Sequence, residues 1–270
     1  MKRPYPSLKR QSGFTLLEVA LVVVIMGVVM ASIMVARNQS SSNTTASEAA
    51  FLDTAVSALF NFSKRNSRLP CPDVNADGIE DAVNGVCEAS IHTGGIPYTT
   101  LGIVLSSPVG TGLDRQYVYG VFRGGAAVDK DLTLSAERSL PVPHVAPNAS
   151  FQNLDDFKQA LTNASAVTTS VDSSSIYVTG NASNSGASNC TSTQVANVAF
   201  VVAFAGARNA DGLGGDFDGG HLASGWSDSG KWSGVKANTC FMGPGKPVTS
   251  QYDDQVRAVS FTELMGVLSR

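Results

Sequence analysis

The chain has 270 residues and a mass of 28.0 kDa, which suits one large domain or two small ones, and 43% of it is hydrophobic, as in an ordinary globule. With 15% charged residues, a pI near 5.6 and a formal charge of −3, it offers no clustered basic face, so no nucleic-acid partner is expected. That average conceals a concentration of apolar residues near the N-terminal end.

Residues 14–35 form a run whose only polar members are Thr15, Glu18 and Ser32, long enough to cross about 30 Å of hydrocarbon. Lys2, Arg3, Lys9 and Arg10 precede it and Arg37 follows it. The positive-inside bias therefore keeps the short leader in the cytoplasm and sends the rest outward. The run is longer than the apolar core of a secretory signal and has no small-residue cleavage site at its end, which suits a single-pass anchor. Glu18 is out of place in an anchor. A carboxylate in a membrane helix costs roughly 2.5–3.5 kcal/mol at the bilayer centre and somewhat less near the interface, so it needs a partner.

The stretch Lys9-Arg10-Gln11-Ser12-Gly13-Phe14-Thr15-Leu16-Leu17-Glu18 resembles the type III signal of type IV prepilins and type II secretion pseudopilins. The resemblance implies that a prepilin peptidase cuts after Gly13 and that the new terminal Phe14 is methylated. It further implies that Glu18 pairs with the freed amine of a neighbouring subunit during assembly. Elementary electrostatics agrees, because a cation and an acid buried in an apolar layer become tolerable mainly by pairing. Loss of 1–13 removes four bases and no acid, which moves the formal charge from −3 to −7. The implied partners are the peptidase, other pilin or pseudopilin subunits and an inner-membrane assembly platform. The implied location is the inner membrane with a periplasmic head, then a pilus or pseudopilus at the cell surface.

No proline occurs between Phe14 and Leu69, and Phe51, Ala55, Leu59 and Phe62 recur at helical spacing. One helix over 14–64 would be roughly 75 Å long. The Ser/Asn/Thr-rich stretch 38–47 is its weak point, since such side chains compete for backbone hydrogen bonds. The expected organisation is a leader at 1–13, a membrane or filament-core helix at 14–36, its continuation packed on the head at 37–66, and a head at 67–270. Arg68-Leu69-Pro70-Cys71-Pro72-Asp73 stops the helix. Apolar runs at 117–122, 176–179, 195–204 and 256–261 predict strands. Residues 154–161 predict a short helix with Phe157 and Leu161 inward, and 262–268 a terminal one. Residues 162–193, rich in Ser, Thr, Asn and Ala, read as a surface insertion.

Looser matches to prepilin-type proteins occur at Leu69-Pro70-Cys71-Pro72-Asp73, at 95–102, at 200–209 and at Tyr252-Asp253-Asp254. Such proteins often carry an aspartate-tryptophan-glycine turn where this chain reads Asp114-Arg115-Gln116. The fold implied is α+β and type IV pilin-like: a long N-terminal helix on an antiparallel sheet. The head is larger than in compact major pilins, which points to a minor member. The rival reading is a membrane-anchored, calcium-dependent adhesin or binding module.

Cys71, Cys87, Cys190 and Cys240 all lie on the outward side of the apolar run. An even count in an oxidising compartment favours two disulfides, with three connectivities open, and sequential pairing needs no interleaving of the halves. Zinc is disfavoured, because no two cysteines are two to four residues apart and His92, His144 and His221 are isolated. No cofactor is required, but calcium has two candidate sites. Asp73, Asn75, Asp77, Ile79 and Asp81 sit at the alternate positions of a calcium loop, with Gly78 at the turn, although position twelve is Asn84 rather than glutamate. An Asx-rich turn explains the same composition. Asp211, Asp216 and Asp218 form a second acidic, glycine-rich run, similar to the calcium-holding loop of major pseudopilins, which Asp253 and Asp254 would complete. Catalysis is not expected: Gly225-Trp226-Ser227-Asp228-Ser229 only approximates a nucleophile elbow.

Overall fold

The computed structural model describes residues 16–88, 91–104, 117–124, 128–138, 153–168, 175–179, 195–206, 210–212, 217–218, 221 and 240–270, with the backbone alone for 18, 31–49 and 195. Helix α1 spans Leu16–Asn66, α2 Tyr98–Leu101, α3 Leu154–Ser165 and α4 Phe261–Leu268. The strands are β1 Ala82–Val83, β2 Val86–Cys87, β3 Thr93–Gly95, β4 Tyr117–Val121, β5 Tyr177–Thr179, β6 Val195–Asn197, β7 Phe200–Phe204, β8 Cys240–Met242 and β9 Gln255–Val259. The chain divides into two compact units, Met1–Thr44 and Thr45–Arg270.

In the first unit, the described side chains of α1, within 16–30, are apolar on every face. Leu16, Leu17, Val19 and 21–26 are each more than half exposed, and consecutive residues lie about 100° apart on a helix. Among the described residues no helix is long and apolar enough to cross a membrane. The apolar run read at 14–35 begins before the described residues, and the side chains of its last five residues are not described. The expected weak point at 38–47 is helical in backbone. Each Ser, Asn or Thr costs only a few tenths of a kcal/mol against alanine, too little to end a helix without a proline.

In the second unit, α1 changes character and buries one stripe, Leu52, Ala55, Val56, Leu59 and Phe62, in the same core as the strands. Phe51 lies 4.1 Å from the Tyr117 ring, and Phe60 lies 5.8 Å from Phe200. The helix ends where Ser67 turns left-handed (φ 53°), and the Asn66 amide donates to the Phe62 carbonyl at 2.9 Å.

The main sheet has the order β3-β4-β7-β9 and is antiparallel throughout, with Tyr119 opposite Val202 and Val202 opposite Arg257. Every residue of β4 and β7 is buried, as expected of central strands covered on both faces. Tyr117 faces α1. Gly120 lies under Phe241 of β8, where a Cβ would stand 2.9 Å from the ring, so only glycine fits there. The architecture is α+β.

Two features depart from the sequence reading. The run at 195–204 is two strands, because the chain leaves one sheet and joins another: β6 pairs with β5, whereas β7 pairs with β4 and β9. The second sheet, β6-β5-β8, is not purely antiparallel, since β5 and β8 run parallel with Val178 opposite Phe241. Of the stretch 162–193, α3 takes the first residues to Ser165, and Ser175, Ile176, Tyr177 and Thr179 are buried. Its remainder lies largely outside the described residues.

Candidate functional site

Gly13 and Phe14 lie outside the described residues, and Glu18 stands in the first turn of α1 with its side chain undescribed. What the structure shows around them is the apolar surface of 16–30, from Leu16 at 91% exposed to Val29 at 51%. An apolar girdle of this kind is stable only in lipid or against other apolar helices.

The first acidic loop is built around its own backbone. Asp73 is buried, and its carboxylate accepts from the N–H groups of Ala76 (2.7 Å), Asn75 (3.1 Å) and Gly78 (2.7 Å). Asn75 Oδ1 accepts from Asp77 N–H at 2.9 Å, and Asp77 Oδ1 from Ile79 N–H at 2.7 Å. Asp81 accepts from Val74 N–H at 2.5 Å and from the Asn75 amide at 3.2 Å. The side-chain oxygens of this loop thus accept N–H groups, those of Asp73, Asn75 and Asp77 in Asx turns. Burial pushes the Asp73 carboxyl up to about 6 in spite of its three N–H donors. Glu80 closes the loop onto Arg68 in a bidentate pair at 2.6 and 2.7 Å and accepts from Cys71 N–H at 3.0 Å. Burial works to raise Glu80, but these contacts outweigh it and hold its carboxyl below the usual range. Cys71 and Cys87 are disulfide-bonded with Cα atoms 5.5 Å apart. Cys240 is also disulfide-bonded, and Cys190 lies outside the described residues.

The second acidic run behaves differently. Asp218, Asp253 and Asp254 are all buried, and their carboxylate oxygens lie within 4.8 Å of one another. Among the described residues this is the one group of three metal-ligand side chains. Asp218 Oδ1 accepts from Ala210 N–H at 2.8 Å and Asp211 N–H at 3.1 Å, and its Oδ2 from Asp253 N–H at 2.8 Å. Asp254 Oδ2 accepts from Asp218 N–H at 3.0 Å and lies 2.6 Å from His221 Nδ1. Because His221 Nε2 accepts from Met242 N–H at 2.9 Å, the ring proton belongs on Nδ1, which donates it to Asp254. Asp254 Oδ1 is buried without a hydrogen-bond partner. Burial pushes the Asp254 carboxyl up, against the lowering effect of His221. The Asp211 side chain does not join this group, and Asp216 lies outside the described residues. With three buried carboxylates, one of which keeps an orphaned oxygen, the donor set fits a hard divalent cation.

Sequence reasoning missed the pairing of His221 with Asp254, whose only signal was the doubled aspartate 32 residues downstream. It also missed Arg123. This guanidinium is fully buried, pairs with Asp131 at 2.9 Å, and donates to the carbonyls of Glu88, Ile91 and Cys87, so it anchors the chain leaving the disulfide.

The geometry defines a protein with a helical segment apolar on all sides at 16–30 and an α+β unit. Residues 8–34 match the family model described as the prokaryotic N-terminal methylation motif, and the chain thus carries the prepilin-type cleavage and methylation signal of type IV pilins and pseudopilins. No curated protein and no solved structure matches the chain.

Proposed function

We propose that the chain is a pilin-like structural subunit of a type IV pilus or related filament, held in the inner membrane by 14–36 and assembled through that helix. The carrying observation is the all-round apolar surface of 16–30, lying in register with the methylation motif. Prepilin peptidase is the processing partner, with cleavage after Gly13 and methylation of Phe14, and other subunits and an assembly platform are the assembly partners. The α1 stripe packed beside an antiparallel sheet supports a pilin-like fold at 45–270, and the size of that unit supports a minor subunit. The role is structural rather than enzymatic.

The test is mass spectrometry of the N-terminal peptide from membranes and from sheared filaments in parallel. Methylated Phe14 in filaments is the expected result. Methylated Phe14 in membranes alone favours a secretion pseudopilin, and an intact leader in mature cells overturns the proposal in favour of an anchored binding module.

A second reading concerns calcium, for which Asp218, Asp253 and Asp254 are the proposed ligands. Saturating calcium at 100 times its dissociation constant would stabilise the fold by about 2.7 kcal/mol. The expected outcome is a chelator-reversible rise in unfolding temperature, lost in Asp218→Asn. An unchanged temperature would leave the cluster a structural network only.

A further inference from the structure

Two features of the unit Thr45–Arg270 complement each other in shape, polarity and charge. The first is the tip of the disulfide-closed loop. Asn84 and Gly85 turn the β1–β2 hairpin with φ of 54° and 77°, the positive values that a two-residue primed turn requires. Val83 and Val86 are directly opposite in register and so share one face, where they are 77% and 47% exposed, and the preceding Ile79 is 51% exposed. Cys87 is itself a hairpin residue, paired with Ala82, so the disulfide staples the base of the knob. Between 71 and 88 the chain carries Asp73, Asp77, Glu80, Asp81 and Glu88 and no Lys or Arg, with Asp77 exposed.

The second feature is an open groove of 840 Å³ between α1 and the residues after α2. Phe51, Ala58 and Val104 give it an apolar floor, and among the described residues that line it Lys64 and Arg65 are the charged ones. Both cations are exposed, and neither takes part in an ion pair among the described residues. Val104 is 91% exposed. Of the six large apolar side chains left exposed among the described residues of this unit, Ile79, Val83, Val86 and Val104 belong to these two features, and Val128 and Val248 lie elsewhere. Scattered single exposures need no explanation, but a paired acidic knob and basic groove do.

The knob does not fill the groove of its own chain. The disulfide holds its base, and the Gly78 carbonyl accepts from Thr99 N–H at 2.8 Å, so the tip is fixed with its valines exposed while the groove stays open. We propose that the knob of one subunit docks into the groove of a second copy of this chain, a head contact that rests on the filament reading for its setting. The valines would sit on Phe51, Ala58 and Val104, and Asp77 would face Lys64 and Arg65. Because the hairpin is already rigid, little ordering cost opposes docking, and copies held in one membrane meet at high effective concentration.

The test co-expresses two differently tagged full-length chains, one Val83→Cys and one Ser57→Cys, and treats whole cells with diamide, which takes up the two thiol hydrogens as the disulfide forms. The expected result is a mixed-tag dimer well above either single-cysteine control. It should fall at least fivefold when the Ser57→Cys chain also carries Lys64→Glu and Arg65→Glu, and recover when the Val83→Cys chain carries Asp77→Lys. No dimer between folded, leader-cleaved chains, or a dimer indifferent to charge reversal, overturns the docking and leaves the filament reading standing. A charge-dependent dimer between chains that keep their leader supports the docking while the filament reading falls.

Discussion

Asp73 is the residue at which burial and hydrogen bonding oppose each other most directly. Three backbone N–H groups favour its ionised form, yet burial prevails and its carboxyl titrates near 6 rather than 3.8. The folded state therefore binds more protons than the unfolded state between those two values, so this group stabilises the fold at low pH and its contribution is lost as pH rises through 6. Each tenfold change in proton affinity is worth about 1.36 kcal/mol, which bounds the contribution at about 3 kcal/mol before solvent screening at the loop surface reduces it. Asp73→Asn removes the titration but also one acceptor, so the slope rather than the absolute stability carries the test. The unfolding temperature of the wild type in detergent should fall between pH 4.5 and 6.5 relative to that of the variant; parallel curves would mean that Asp73 ionises normally. The carboxylates at 73–81 were legible in the sequence as a set, but whether their oxygens face an ion or the backbone depends on φ values such as the 63° of Ala76, which composition does not encode. Asp218 and the Asp253-Asp254 pair were likewise visible. His221 was not, because its partner arrives through tertiary folding of segments far apart in sequence.

At the scale of elements, the disulfide loop is the piece whose stability is easiest to isolate. Cys71 and Cys87 close a loop of 16 residues, for which chain entropy gives about 3 kcal/mol. The double variant Cys71→Ser/Cys87→Ser is expected to lose about 2–4 kcal/mol in denaturant titration. Hydrogen exchange should speed up at Val83 and Val86 more than in β4 or β7, whose N–H groups lie in the central ladder. Equal acceleration everywhere would mean that the loop is no separate unit. Elements with strong periodicity were readable: 117–121, 154–165, 255–259 and 261–268 fall within a few residues of expectation. Strand β3 was not, since Thr93-Gly94-Gly95 has no alternation to detect. Its place is fixed by the bridge between Asp73 and Gly95 and by the approach of the Asp73 carbonyl, which stands 2.5 Å from where a Gly94 Cβ would be. The parallel pairing of β5 with β8 was equally hidden, because strands of three residues carry too little pattern to choose a partner.

For the whole molecule, the proposed filament reading turns on Glu18, the one acid in an otherwise apolar run. The girdle at 16–30 requires apolar surroundings before and after assembly, so it directs the chain equally to lipid and to a filament core and does not choose between them. A charge pair does choose. On the filament reading proposed above, the Glu18 carboxylate meets water or snorkels while in lipid, and between packed helices it would pair with the terminal amine of a neighbour, which would exist only once the chain is cut after Gly13. Glu18→Ala should therefore leave insertion, cleavage and methylation intact and abolish incorporation. Glu18→Gln should behave in the same way, since it keeps the shape and removes the charge. Leaving one buried cation unpaired costs about 3–5 kcal/mol, which corresponds to more than a hundredfold loss of either variant from sheared filaments at equal membrane abundance. Normal incorporation of Glu18→Gln alone would reduce the contact to a hydrogen bond, and normal incorporation of both would remove Glu18 from assembly and leave the apolar girdle as its sole determinant.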